Sequence, residues 1–182
     1  HLAKAGVKVA SAKVGPDYID PAFHAAASGE PCLNLDPWAM RPATLAAVRR
    51  HLAAADLTVC EGVMGLFDGA VGGTGSTADL AQLTGWPVVL IVDVRGQAAS
   101  AAALLQGFAR HRPEVRVAGC IFNRVGGAAH VHILTEAVRA ALPEIAILGA
   151  IPRDDRLALP ERHLGLVQAG EHAGLDAFLD AA

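Results

Sequence analysis

Acidic and basic side chains follow the apolar segments of this chain, and their types suit phosphate and metal chemistry. Lys13, Asp17 and Asp20 follow the first apolar segment, and Glu61 and Asp68 follow a later one. Carboxylate oxygens are the ligands that Mg²⁺ prefers, with waters and phosphate oxygens completing its coordination. Asp20 and Glu61 therefore predict a Mg²⁺ site of the kind that nucleotide chemistry needs, and Lys13 could bind phosphate oxygens as a point charge.

Each of these positions also has a simpler structural explanation. Asp20 precedes Pro21, and an Asp-Pro pair suits the N-cap and first residue of a helix. Lys13 could instead be a surface lysine whose ammonium reaches water. Glu61 directly follows a buried apolar strand, so its carboxylate must be paired or solvated in a cleft, and a purely structural role is less attractive there.

Other catalytic motifs are missing from the sequence. His130 and His132 are two residues apart and lie on different faces of a helix, so zinc is not expected. No Gly-x-Ser-x-Gly elbow is present for a nucleophilic serine. The glycine-rich run 69–77 lacks the Gly-Lys-Ser/Thr ending of a phosphate-binding loop. We interpret it as a mobile loop on the substrate side or a plain flexible connection, in which Ser76 or Thr77 caps the next helix.

Short β-branched segments alternate with Ala- and Leu-rich ones, a pattern typical of a parallel sheet with crossover helices. The predicted strands lie at about 7–13, 57–60, 87–94, 115–122 and 145–151. The predicted helices lie at 42–55, 98–110, 128–141 and in the tail 171–182. Open α/β sheets bind ligands outside the carboxyl ends of their strands, so we expect the polar residues after the strands to meet at one edge.

The first five residues have the pattern of the last turn of a helix, which Gly6 would end at a C-cap position. In doubly wound folds a strand and a ligand-binding turn usually precede such a helix. We therefore expect the beginning of the fold to lie before His1.

The composition fits one α/β domain without a nucleic-acid or membrane surface. The 182 residues are 53% hydrophobic and 4% aromatic. A net charge of -3 without a block of like charge predicts no nucleic-acid or anionic-membrane partner. No apolar run reaches the roughly 20 residues of a spanning helix. Cys32, Cys60 and Cys120 lie far apart, and we interpret them as small core residues of a reduced, cytoplasmic protein.

Five motifs resemble those of the cobyrinic and hydrogenobyrinic acid a,c-diamide synthases, in sequence order and over essentially the whole chain. They are KVGPDYIDP at 13–21, EGVMGLFDG at 61–69, FNRV at 122–125, GAIP at 149–152 and ERHLGLV at 161–167. The first two together are specific, whereas GAIP alone would be weak. The resemblance implies a P-loop NTPase fold of the dethiobiotin synthetase type, with helices on both faces of a parallel sheet.

The resemblance also implies a reaction in cobalamin biosynthesis that uses ATP and Mg²⁺. ATP phosphorylates the c and then the a side-chain carboxylate of the corrinoid acid, and ammonia displaces phosphate from the acyl phosphate. ATP is needed because a carboxylate oxygen does not leave when ammonia attacks, whereas phosphate does. Mg²⁺ and cationic groups stabilise the charge on the transferring phosphoryl group.

On the matching positions the resemblance implies a role for each residue. The implied catalytic residues are Asp17, Asp20, Glu61 and Asp68, of which Asp20 and Glu61 would hold Mg²⁺. The implied substrate contacts are Asp17, Tyr18, Ile19, Asp68, Arg41 and Arg95. The implied nucleotide contacts are Lys13 at the phosphates, Asn123 at the adenine edge, and Arg124, Pro152 and Arg153. The three arginines Arg41, Arg95 and Arg124 could also contact corrinoid carboxylates or simply be solvated, and Asn123 could be a strand-end turn residue.

The chain departs from this family in two respects. The phosphate loop with its Gly-Lys-Thr ending should precede the turn at 1–5 and is not in the sequence, so we expect this chain alone to bind ATP poorly and to be inactive. The glutamine amidotransferase domain that normally follows in the same polypeptide is also missing, and this chain is not expected to hydrolyse glutamine. Whether subunits form a homodimer stays open.

Two other functions stay open. A related synthetase, such as dethiobiotin synthetase or cobyric acid synthase, would act on a different carboxylate, although GPDYIDP at 15–21 and GLFDG at 65–69 argue against both. A corrinoid-binding domain without catalysis would have no phosphate loop upstream. The sequence before His1 would separate this last alternative from a ligase.

Overall fold

Parallel β-strands form the centre of both units into which the chain divides. The computed structural model describes residues 1–157, 161–162 and 165–182. The first unit contains residues 1–80 and 156–182, and the second contains residues 81–155. The predicted α/β class is confirmed, because all strand pairs in the two three-stranded sheets are parallel.

The first unit has a sheet in the order β2-β1-β3. Its strands are β1 (Val9–Val14), β2 (Cys32–Leu35) and β3 (Leu57–Glu61). Its helices are α1 (Ile19–Ser28) and α2 (Pro42–Leu52), and it contains the first half of α3 (Thr77–Thr84). The sequence predicts β1, β3 and α2, with Pro42 in the first turn of α2, but it does not predict β2.

The alternation of side chains along β1 explains how helices cover both faces of this sheet. Lys13 lies on the face that α1 covers, since α1 contacts both β1 and β2. Ala12 and Val14 lie on the opposite face and are fully buried. On that face Thr58 Oγ1 donates a hydrogen bond to the carbonyl oxygen of Leu52 at the end of α2. The prediction of helices on both faces is confirmed for this unit.

The second unit has a sheet in the order β4-β5-β6. The strands are β4 (Val88–Asp93), β5 (Val117–Val125) and β6 (Ala146–Pro152), and the helices are α4 (Ser100–His111) and α5 (Ala128–Ala141). All five elements are predicted from the sequence, and α4 packs against α5. The largest fully buried side chains of this unit include Leu105, Phe122, Leu134, Val138 and Leu142.

The remaining elements belong to the two ends of the first unit. The turn at 1–5 is closed by a hydrogen bond from Ala5 N–H to His1 O, and Gly6 has the expected positive φ of 83°. Strands β7 (Glu161–Arg162) and β8 (Gly165–Leu166) pair antiparallel, while residues 163 and 164 of the ERHLGLV motif lie outside the described residues. The predicted tail helix is shorter than expected and forms α6 (Leu175–Ala181).

No helix in the described part of the chain is long and apolar enough to cross a membrane.

The three cysteines lie on strands β2, β3 and β5 and have free thiols. Burial raises the pKa of Cys32 and of Cys120, and it raises the pKa of Cys60 to about 12. Because the thiolate is the reactive form, we expect all three thiols of the native protein to react slowly with a disulfide reagent at mildly alkaline pH. In protein unfolded in urea, all three thiols should react quickly and at similar rates. Rapid reaction of one thiol in the native protein would contradict this account.

Candidate functional site

The ammonium of Lys13 is surrounded by three carboxylates and a carbonyl at the end of β1. Nζ lies 2.9 Å from Asp20 Oδ2, 3.5 Å from Glu61 Oε1 and 3.9 Å from Asp17 Oδ2, and it donates a hydrogen bond of 2.8 Å to Gly62 O. Lys13 is only 5% exposed. The interpretation of Lys13 as a surface lysine is therefore wrong, since its charge is paired inside the first unit. We call these four charged side chains the Lys13 group.

Asp20 reaches Lys13 from the first turn of α1. The helix begins at Ile19, and its N-cap position is Tyr18, whose side chain makes no capping hydrogen bond. The alternative in which Asp20 caps a helix beginning at Pro21 is wrong, because Asp20 already lies inside the helix. A carboxylate in the first turn also suits the positive end of the helix dipole.

Glu61 binds a different partner with each of its carboxylate oxygens. Parallel pairing of β1 with β3 places Glu61 in register with Lys13, which Oε1 faces. Oε2 lies 2.5 Å from Nε2 of His24, a residue of α1 that the sequence analysis misses. The hydrogen bond with His24 lowers the pKa of Glu61, burial opposes this, and the charge of Lys13 lowers it again, with a net decrease. Glu61 is therefore ionised at neutral pH.

Asn34 on β2 fixes the loop between β1 and α1. Its Nδ2 donates hydrogen bonds to Gly15 O at 2.8 Å and to Asp17 O at 2.7 Å. Asp17 Oδ1 accepts a hydrogen bond of 2.8 Å from Ile19 N–H, which connects the loop to the start of α1. Asn34 is a second residue that the sequence analysis misses, because it lies on the strand that was not predicted.

Of the other candidate residues of the first unit, Ile19 is half-buried, and the remaining three lie in exposed positions. Tyr18 is 69% exposed, and Arg41 is exposed at the N-cap of α2. Asp68 is exposed in a turn that is closed by a hydrogen bond from its N–H to Gly65 O. A side chain at Gly65 would overlap the carboxylate of Asp68. Among the described residues, no ion pair joins Arg41 or Asp68 to a member of the Lys13 group.

The glycine-rich run ends in a helix cap. Ser76 Oγ accepts a hydrogen bond from Asp79 N–H at 3.1 Å, and Asp79 Oδ2 accepts one from Ser76 N–H at 2.9 Å. This reciprocal pair is a capping box at the start of α3, and it confirms that Ser76 caps the helix. Thr77 Oγ1 instead accepts the N–H of Val63. The role of this run on the substrate side stays a prediction.

In the second unit Arg95 and Arg124, two of the predicted arginines, pair with Asp93 of the same unit. Asp93 Oδ2 lies 3.0 Å from Arg124 Nη1, and Asp93 Oδ1 accepts a hydrogen bond of 3.0 Å from Arg95 N–H. That backbone hydrogen bond and the two guanidinium charges lower the pKa of Asp93. Arg124 has a φ of 62°, the one positive value among the described non-glycine residues. The left-handed conformation costs roughly 1–2 kcal/mol, and the ion pair with Asp93 helps to hold it.

The remaining candidates of the second unit lie at the ends of β5 and β6. Asn123 is in register with Asp93, and its carbonyl oxygen accepts the N–H of Val94. Pro152 is the last residue of β6, and Arg153 follows it. These positions match the strand-end placement that the sequence predicts.

His130 joins two loops of the second unit. Its Nδ1 accepts a hydrogen bond from Gly126 N–H at 3.0 Å, and its Nε2 lies 2.6 Å from Gln97 O. Because Nδ1 accepts, Nε2 carries the proton that is donated to the carbonyl oxygen of Gln97. This histidine therefore has a structural role in connecting the loops that follow β4 and β5.

The family model of the CobQ/CobB/MinD/ParA nucleotide binding domain matches residues 1–167. The chain belongs to this family. Membership confirms the predicted P-loop NTPase class and assigns the strand-end residues to a nucleotide-binding domain. It also confirms the fold that the five motifs imply.

Several curated relatives are named hydrogenobyrinate a,c-diamide synthase. The relative from Brucella anthropi is 54% identical over 183 aligned residues, which cover 100% of this chain and 42% of that protein. The one from Rhizobium meliloti is 54% identical, again over 100% of this chain and 42% of its own length. The one from Mesorhizobium japonicum is 52% identical over 98% of this chain and 41% of its own length. The predicted resemblance is confirmed, and the chain spans less than half the length of these relatives.

The charges of the Lys13 group fit a magnesium ion. Three carboxylates face one ammonium, which leaves two negative charges uncompensated beside the ends of β1 and β3. Oxygen ligands and excess negative charge are what Mg²⁺ requires. The described residues contain no group of three or more His, Cys, Asp or Glu side chains arranged to hold a metal. Asp20 and Glu61 would therefore share the ion with waters and phosphate oxygens, as Mg²⁺ sites of nucleotide-binding domains commonly do.

Replacing Lys13 by Met should destabilise the protein, because three carboxylates lose their shared cation. Burial alone would lower the pKa of Lys13, but the hydrogen bond with Asp20 and the charges of Glu61, Asp20 and Asp17 raise it above its ordinary value, so the ion pairs outweigh the burial. We expect the free energy of unfolding in urea to fall by about 1.5–3 kcal/mol.

The matched control for this variant is Lys8→Met, which changes an exposed lysine just before the same strand. It should change the free energy of unfolding by less than about 0.5 kcal/mol. Equal stability of Lys13→Met and the wild type would contradict the importance of the ion pairs.

Proposed function

We propose that the complete protein containing this chain is an ATP-dependent ligase that amidates the a and c side-chain carboxylates of hydrogenobyrinic or cobyrinic acid in cobalamin biosynthesis. The observation that carries the proposal is the Lys13 group, in which a buried ammonium and three carboxylates lie at neighbouring strand ends of a nucleotide-binding domain. The names of relatives that are 54% identical to this chain support the corrinoid substrate.

The proposed reaction has two steps. A carboxylate oxygen of the corrinoid attacks the γ-phosphorus of ATP, the bond from this phosphorus to the β–γ bridging oxygen breaks, and ADP leaves. Ammonia then attacks the carbonyl carbon of the acyl phosphate, the bond from carbon to the phosphate oxygen breaks, and inorganic phosphate leaves as the nitrogen loses a proton. In this proposal the ammonia comes from glutamine through an amidotransferase domain of the same polypeptide.

Lys13 is suited to bind a phosphate oxygen in the first step. Its ammonium has three donors, and two of them are used by Gly62 O at 2.8 Å and Asp20 Oδ2 at 2.9 Å. The separation of 3.5 Å from Glu61 Oε1 is too long for a strong hydrogen bond, so the third donor can bind another acceptor. The ammonium is already fixed, and it can stabilise phosphoryl charge without reorganisation.

Asp20 and Glu61 would hold the magnesium ion, which when bound neutralises charge on the phosphates. Asp17 lies beside Lys13 in a loop fixed by Asn34, so this loop can orient the substrate carboxylate next to the phosphate-binding ammonium. The exposed Tyr18 hydroxyl can donate a hydrogen bond to a corrinoid carboxylate. Ile19, Asp68, Arg41 and Arg95 remain proposed substrate contacts, and Arg124, Pro152 and Arg153 remain proposed nucleotide contacts.

Glu61→Gln in the complete protein should reduce ATP-dependent amidation by roughly 100-fold or more, because a neutral amide binds Mg²⁺ poorly. Asp17→Asn should slow amidation while leaving the affinity for ATP unchanged. The assay measures amidated product by mass spectrometry, with hydrogenobyrinic, cobyrinic and diaminopelargonic acids as alternative substrates. The control is Glu144→Gln, which changes an exposed carboxylate and should turn over like the wild type. Wild-type turnover by Glu61→Gln, or reaction of diaminopelargonic acid alone, would contradict the proposal.

Asn123→Ala should weaken the preference of the complete protein for ATP over GTP by roughly 10-fold, because a hydrogen bond to the adenine edge is lost. The measurement is the ratio of kcat/KM for the two nucleotides. Equal use of ATP and GTP by the wild type would contradict the proposed adenine contact of Asn123.

A further inference from the structure

Helix α1 presents two functional side chains in consecutive turns. Residues four apart on a helix lie on the same face, and Asp20 and His24 have this spacing. Asp20 contacts the ammonium of Lys13, and His24 contacts the carboxylate of Glu61. One face of α1 therefore contacts both charged residues at the ends of β1 and β3.

The contact with His24 distinguishes the two oxygens of Glu61. An ionised carboxylate only accepts hydrogen bonds, so Nε2 of His24 carries the proton and donates it to Oε2. Oε1 lies 3.5 Å from Nζ of Lys13. Because this distance is too long for a strong hydrogen bond, Oε1 can bind another cation. His24 therefore occupies one oxygen and determines the direction of the other.

The backbone around His24 is held in place by the end of α1 and by the packing of a neighbouring residue. The hydroxyl of Ser28 donates a hydrogen bond of 2.9 Å to His24 O, and Gly29 ends α1 in the left-handed conformation with a φ of 76°. One residue before His24, the ring of Phe23 packs edge-on against Phe178 of α6, with centroids 6.2 Å apart. The side chain of His24 is 30% exposed, and its Nε2 contacts Glu61.

We propose that His24 is a positioning residue for the phosphoryl-transfer step: its Nε2–H binds Oε2 of Glu61 and directs Oε1 toward the Mg²⁺ and phosphates. This inference rests on the proposed function, because it needs Glu61 to be a metal ligand. Without the donor, the carboxylate can rotate and place both oxygens against Lys13. Hydrogen bonds to metal-binding carboxylates typically change metal affinity or activity by roughly 10–100-fold.

Three variants separate the hydrogen bond from polarity and volume. The side-chain amide of His24→Gln reaches about as far as Nε2 and can donate to the same oxygen of Glu61. The amide of His24→Asn reaches only the position of Nδ1 and cannot. His24→Leu removes every donor.

The test uses the complete protein with Mn²⁺ as the probe, in the presence of a saturating non-hydrolysable ATP analogue, and measures binding by water-proton relaxation. We expect His24→Asn and His24→Leu to weaken Mn²⁺ binding by roughly 10–100-fold, and His24→Gln to stay within roughly 3-fold of the wild type. The Mg²⁺ concentration for half-maximal amidation should rise in the same order, while KM for the corrinoid is unchanged. A merely structural role would not produce this order.

The control is His132→Leu, which replaces an exposed histidine of α5 and should bind Mn²⁺ like the wild type. A cooperative thermal unfolding transition shows that a variant is folded. If His24→Leu does not fold, the comparison of His24→Gln with His24→Asn still tests the role of the hydrogen bond. Equal Mn²⁺ affinity of His24→Asn and His24→Gln overturns the inference but leaves the proposed function intact. If the wild type and Glu61→Gln bind Mn²⁺ equally, Glu61 is not a ligand, and the proposed metal site fails together with the inference.

Discussion

The buried ammonium of Lys13 is the constraint on which the first unit depends. An ammonium held out of water is costly unless opposite charges and hydrogen-bond acceptors surround it. The partners come from separate segments: Glu61 from the neighbouring strand, Asp20 from α1 and Asp17 from the intervening loop. Pairing therefore requires the register of β1 with β3 and the position at which α1 begins. The three carboxylates that surround Lys13 are themselves only partly buried.

The charges in the Lys13 group do not balance. One ammonium does not neutralise three carboxylates, and partly exposed carboxylates in close proximity repel each other. A chain selected for stability alone would have fewer of them. Excess negative charge at a strand edge is useful when a divalent cation binds there, and a bound cation would also allow an anionic phosphate to approach. Asn34 fixes the loop that carries Asp17, and His24 contacts the second oxygen of Glu61.

The sequence predicts most of the fold and the main charged residues of the site, for identifiable reasons. Apolar segments such as 88–93 and 117–122 are long enough to predict strands, and strand-end carboxylates such as Glu61 are unusual enough to predict a site. β2 has four residues, one of them Asn34, and gives too weak a pattern to predict. The pairing of β2 with β1 places Asn34 against the loop between β1 and α1. A short sequence pattern does not predict this contact. The contact between His24 and Glu61 joins residues 37 positions apart, so a local pattern does not predict it. Helix-capping rules predict a cap at Asp20, whereas its carboxylate pairs with Lys13.

In the proposed function, the Lys13 group binds the cation and phosphates of ATP. The most direct measurement is a crystal structure of the complete protein with Mg²⁺ and a non-hydrolysable ATP analogue. We expect a metal about 2.0–2.1 Å from a carboxylate oxygen of Asp20 or Glu61, with a phosphate oxygen in hydrogen-bond contact with Lys13 Nζ. A metal and phosphates bound at other residues, with Lys13 contacting only its own carboxylates and Gly62 O, would contradict it.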